Sequence, residues 1–168
     1  VLRDLNVTAM GFVQVTGGGY TDPQFMKSLG KAADNFISAQ TWVPDLATPW
    51  SPGLNQQVAK KYRGLWGEPP IDTSIIKYVD AYVLYDALER AGQAGMGDAL
   101  KNGDVAKARE ILREAFAKTD ITRVDQPGGR ALIIAGGRVK FDETGQNIYC
   151  TNVVNQISGG KWPVVWPW

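Results

Sequence analysis

An α/β fold is expected for this 168-residue chain on three observations. A strand-like run, Met10-Gly-Phe-Val-Gln-Val-Thr16, feeds three glycines, Gly17, Gly18 and Gly19, and then a capped, apolar-periodic segment from Pro23 to Leu29. Apolar residues recur every three or four positions through the middle of the chain, the period of a helix with one buried face. Alternation of period two takes over after Arg130, the period of a half-buried strand.

At the first junction, glycines that take φ > 0 make a tight loop, Thr21 or Asp22 can cap the helix, and Pro23 suits its first position. The unpaired N–H groups of a helix start favour an anionic or strongly polar ligand group. The plainer account of the three glycines is a sharp strand-to-helix turn. Neither GxGxxG nor GxxxxGK[ST] is present, so a nucleotide is not expected.

The elements follow in order. After the helix at Pro23 to about Gly30 comes a strand at 35–39, then a proline-rich passage, Trp42 to Pro52, that suits a crossing segment. Leu54 to Trp66 reads as a helix stopped by Gly67, and Asp72 to Gly92 as a long helix with Ile76, Val79, Val83 and Ala87 as its stripe. A further helix is capped by Asp104, with Val105, Ala108, Leu112 and Phe116 facing inward. Strands are expected at 131–135 and 139–142 around Gly136-Gly137. A final hairpin pairs Ile148 to Ile157 with Lys161 to Trp168 across Ser158-Gly159-Gly160, and its prolines suit an edge strand.

Composition excludes whole classes of chemistry. With no histidine, Ser-His-Asp and Cys-His nucleophiles and His-bearing zinc sites are impossible within the chain. Acidic residues such as Asp104, Glu110, Glu114 and Asp142-Glu143 fall on helix faces and turns, where capping and solvated roles come first. The single cysteine, Cys150, is expected in a strand as a small buried residue, and it has no internal disulfide partner. Eighteen basic residues against 17 acidic, with no basic run interleaved with aromatics, argue against a nucleic acid partner. No apolar run reaches membrane-spanning length. Val1 to Asn6 shows neither an initiator Met nor an apolar h-region and reads as the end of a helix cut open.

Taken together, Gly17 to Gly30, Ala32 to Asn35, Trp42-Val-Pro-Asp-Leu46, Ala81 to Gly92, Val139-Lys-Phe-Asp-Glu-Thr-Gly-Gln-Asn147 and Gln156-Ile-Ser-Gly-Gly-Lys161 resemble the C-terminal half of type I periplasmic binding proteins. The branched-chain amino acid receptors of ABC importers are the nearest branch. The resemblance implies Rossmann-like three-layer α/β/α lobes with the N-terminal half missing. Residues 1–42 are then expected in the C-terminal lobe, 43–146 in the N-terminal lobe and 147–168 back in the C-terminal lobe.

It further implies a non-enzymatic solute-binding role in the periplasm, with no cofactor and no metal. The partners it implies are a small-molecule solute, a membrane permease and the missing half of the receptor. Gly17, Gly18, Gly19 and Tyr20 match the C-lobe ligand loop, and Thr73 and Ser74 the N-lobe contact. Gly18 stands where amino acid-binding members carry an acidic residue, so an uncharged or aromatic carboxylate solute suits the loop better. Alternatives are a sensing domain of a regulator or receptor with the same fold and, more remotely, a small α/β enzyme.

Overall fold

The structure is a computed structural model and describes residues 12–14, 22–48, 53–122 and 133–167. Four strands form one sheet in the order β1 (Phe12–Gln14), β2 (Phe36–Gln40), β5 (Val153–Gln156), β6 (Val164–Trp166). β1 and β2 run parallel, while β2–β5 and β5–β6 are antiparallel. A second sheet is a two-stranded ribbon of β3 (Asp120–Thr122) and β4 (Arg138–Lys140).

Helix α1 (Pro23–Leu29) opens on Asp22, whose carboxylate accepts from Gln24 N at 2.8 Å, with proline at the first position as expected. α2 spans Leu54–Trp66 between Gly53 and Gly67, both at positive φ. α3 spans Asp72–Gln93 and buries Ile75, Val79, Val83, Ala87 and Ala91. Its stripe therefore starts at Ile75, four residues before Val79, with Ile76 only half-buried beside it. α5 (Val105–Ala117) is capped by Asp104, which accepts from Lys107 N at 3.0 Å. Its buried positions are Ala108 and Ala115, and Val105, expected to face inward, is exposed at the first position of the helix.

Three departures have local causes. A short helix that the sequence reading did not place, α4 (Met96–Lys101), lies between α3 and α5, started by Gly95 at positive φ. The strand expected at 131–135 lies partly outside the described residues, and 133–137 make a turn in which Gly137 N donates to Ile134 O. That turn is held by Ala135 N on Thr41 O at 3.0 Å, while β4 finds its partner in β3. The hairpin strand begins at Val153, not Ile148, because the Asn147 carboxamide accepts from Lys140 N and Tyr149 N and curls 147–150 into a turn. Cys150 sits in that turn and is exposed, not a buried strand residue.

Apolar packing falls into linked clusters. The largest joins Ala33, Trp42, Val43, Leu46, Ile75, Ile133, Val153, Ile157 and Trp162, so the first residues of the passage expected to cross are packed in the main core. The second gathers Val79, Val83, Ile121 and Val139 between α3 and the ribbon. The third holds Ala87, Ala91 and Ala115 where α3 meets α5. Tyr78 touches the first and second clusters.

Candidate functional site

The expected ligand loop, Gly17, Gly18, Gly19 and Tyr20, lies outside the described residues, as does Trp50. Its two flanks are described: β1 ends at Gln14 in register with Ser38 of β2, and α1 begins at Pro23. A parallel strand pair leading into a helix start is the arrangement in which α/β proteins hold ligands at strand C-termini.

Thr73 and Ser74 occupy the first turn of α3. The residue before that helix, Ile71, offers no side-chain cap, so none of the first-turn N–H groups is satisfied by a capping side chain at that position. Thr73 is exposed, and Ser74 is half-buried with its hydroxyl 3.5 Å from Tyr62 OH. One turn further on, Tyr78 and Tyr82 share an OH···OH contact of 3.1 Å with rings edge-on. Burial pushes the Tyr78 phenol up first, and the hydrogen bond with Tyr82 adds to it, so Tyr78 stays protonated across the ordinary pH range.

The sheet carries buried polar groups in a row. Ser38 on β2 pairs in register with Asn155 on β5, and Ser38 Oγ donates to Asn155 Oδ1 at 2.8 Å. Asn155 is fully buried, and its Nδ2 finds no partner among the described residues. Buried carboxamides carry a cost when half satisfied, so this row is a polar feature of the sheet and not filler.

Residues that the sequence did not flag form the joint between sheet and helices. Asn55, in the first turn of α2, accepts a hydrogen bond from the Trp42 indole and donates to Pro44 O at 3.0 Å and Leu46 O at 2.9 Å. Asp45 accepts from Trp162 N at 2.8 Å. A Cβ at Gly136 would lie 2.0 Å from Tyr149 O, so only glycine lets these two backbones pass. Gly136-Gly137 was visible as a turn, but an asparagine in a helix gives no pattern that points to such a pin.

Beside α3 runs a groove of about 780 Å³ lined by Ile76, Val83, Leu84, Phe116, Phe141 and Cys150, among others. The helix face next to it leaves Leu84 and Leu88 exposed. Among the described residues no group of three or more acidic or cysteine side chains could hold a metal ion. Carboxylates stand in structural roles: Asp120 is paired bidentately with Arg138 at 2.7 and 2.8 Å, and the Asp142 side chain organises the turn at 142–146. No helix among the described residues is long and apolar enough to cross a membrane.

Comparison with known proteins fits this geometry into a class first. No family model and no curated protein matches the chain. Solved structures match it over nearly all its described architecture, and the fold they share is the α/β fold of the type I periplasmic ligand-binding proteins. A leucine-binding protein from Thermotoga maritima is similar at TM-score 0.62 and 22% identity, over 96% of this chain and 38% of that one. An ABC-transporter solute-binding protein from R. palustris, solved with benzoate, is similar at 0.58 and 18%, over 89% and 32%. An extracellular ligand-binding receptor from Rhodopseudomonas palustris reaches 0.66 at 16%, over 98% and 43%. The chain thus spans 32 to 43% of the length of these three structures. At such identities the likeness establishes the fold.

Proposed function

We propose that the chain is the C-terminal part of a solute-binding protein of an ABC importer, which captures a small molecule between two lobes and releases it to a membrane permease. The observation that carries this reading is that 96 to 98% of the chain superposes on a leucine-binding protein and on an extracellular ligand-binding receptor. Under this reading residues 1–42 and 147–168 serve the C-terminal lobe and 43–146 the N-terminal lobe. The protein works in the periplasm, and the remainder of the receptor completes the two lobes that wall the cleft. Capture requires no covalent chemistry, and closure about a hinge commits the solute.

The ligand-contacting residues of this reading are Gly17, Gly18, Gly19 and Tyr20 at the strand end, with Thr73 and Ser74 at the start of α3. An α-ammonium buried against Gly18 would lack a carboxylate, and an uncompensated buried charge is costly. A carboxylate suits glycine N–H groups at a helix start, and the Tyr20 ring suits an aromatic body. The solute is therefore an aromatic carboxylate or a related amino acid-like acid. The benzoate-bound solute-binding protein and the leucine-binding protein mark the two poles of the test.

A thermal-shift panel of benzoate, substituted benzoates, phenylalanine and leucine, followed by calorimetry, reads it directly. Benzoate-type acids are expected to raise the melting temperature, by RT ln(1 + [L]/Kd) in stability. Binding confined to aliphatic amino acids would overturn the aromatic assignment. Consumption of any of these compounds would overturn the binding role itself.

A further inference from the structure

The apolar stripe of α2 runs Leu54, Val58, Tyr62, then Leu65 and Trp66, at the three- and four-residue spacing of one helix face. Leu54 and Val58 pack against the main core, and Tyr62 is half-buried with its ring beside that of Trp66. The stripe then outruns its support. Leu65 is 70% exposed and Trp66 69%, the most exposed large apolar side chains among the described residues, and Gly67 stops the helix directly after them. The polar faces of the same helix carry Lys60, Lys61 and Arg63, all exposed, and no acid. Lys61 lies four residues before Leu65 and Arg63 three before Trp66, so a cation stands beside each exposed apolar side chain. On the other helices cations are paired: Lys77 with Asp80, Arg90 with Asp86, Arg113 with Glu110. No ion pair among the described residues neutralises the three on α2, and the nearest acid in sequence is Glu68, past the helix end. In a chain of overall charge +1, this helix end is a local concentration of positive charge around an apolar tip.

We propose that the end of α2 is a peripheral membrane contact, which seats Leu65 and Trp66 in the headgroup layer of an anionic bilayer and sets Lys60, Lys61 and Arg63 on the lipid phosphates. An indole suits that layer, because its ring leaves water while its N–H stays wet. Lysine and arginine lay their stems along apolar surface and keep their charged heads at the phosphates. Burial of the tip and attraction to acidic lipid then act together, as on helices that lie in a membrane interface. An apolar protein surface would account for Leu65 and Trp66 but not for the unpaired cations around them; an anionic bilayer accounts for both. The receptor reading supplies a membrane for the chain to meet and carries none of this argument, which stands on α2.

Flotation of the chain with vesicles tests it, using phosphatidylcholine alone and phosphatidylcholine with about 30% phosphatidylglycerol. The chain is expected to float with the anionic vesicles and not with the neutral ones, and to be released by about 0.5 M salt. Lys60→Gln with Lys61→Gln is expected to weaken the partition at least about tenfold. Leu65→Ser with Trp66→Ser is expected to abolish it, and because all four positions are exposed both double variants keep the parent's melting temperature. Brominated lipid tails are expected to quench the fluorescence of the bound chain. Trp66→Phe removes that quenching, and Trp166→Phe, at an exposed tryptophan away from α2, leaves it. Equal flotation with neutral vesicles, or quenching that is lost with Trp166→Phe instead, overturns the membrane contact. Absence of flotation also overturns it, including the case in which the chain self-associates in sedimentation and Trp66→Ser abolishes that association. Solute binding without flotation leaves the receptor reading standing and removes the membrane contact; flotation with a failed solute panel does the reverse.

Discussion

The two ends of α3 are held by different physics. At its first turn, Ile75 enters a core of large, fully buried side chains, Trp42, Leu46, Ile133 and Ile157 among them, threaded with buried polar groups at Asn55, Ser38 and Asn155. Toward its C-terminus the contact with α5 is made by Ala87, Ala91 and Ala115, with Arg90 fastening the pair through the Ala115 carbonyl and Thr119 Oγ1. Large interlocking side chains with polar pins specify an orientation, because few arrangements satisfy every partner. Small residues bring helices close and tolerate modest sliding. The molecule places its specific packing at the joint and generic packing at the helical end.

That contrast can be broken by mutation. Trp42→Ala removes the largest buried side chain of the joint and leaves Asn55 Oδ1 unpaired, so a loss of about 3–5 kcal/mol in denaturant unfolding is expected. Ala87→Leu overpacks the helical end, where Ala87 is fully buried in the cluster with Ala91 and Ala115. A loss of about 1–3 kcal/mol is expected, with the joint unchanged as read by Trp42 fluorescence shielding. A larger loss from Ala87→Leu than from Trp42→Ala would reverse the comparison.

The smallest effect lies at the ribbon. The Arg138 guanidinium, with Lys140 behind it, holds the Asp120 carboxyl below its ordinary value. A group with a lowered native pKa contributes stability above its unfolded pKa, and that contribution is lost as pH falls through the native value. Unfolding measured from neutral pH down through the carboxylate range should thus show an acid limb that Asp120→Asn flattens. The pair is well exposed, so water screens most of it.

How far the sequence could be read follows the same division. Helices with their own punctuation were legible to the residue: Gly53 and Gly67 bound α2, and Asp104 starts α5. Elements whose existence depends on a distant partner were not. β3 is three residues that become a strand only because β4 lies beside them, and α4 is six residues long. Cys150 was misplaced because a single carboxamide, that of Asn147, bends the backbone away from the strand that its neighbours favour. Of the candidate site, the helix start at Pro23 was readable from the capping chemistry of Asp22, and the one at Asp72 from the apolar period that follows it. The glycine loop lies outside the described residues. The Asn55 pin was invisible because its partners are backbone carbonyls and an indole brought close only by folding.

Reversible capture by closure is the central claim, and small-angle X-ray scattering with and without saturating solute, chosen from the thermal-shift panel, tests it most directly. A reversible fall in the radius of gyration on adding the solute, restored by dialysis, is the predicted result. An unchanged scattering curve at demonstrated saturation would contradict it.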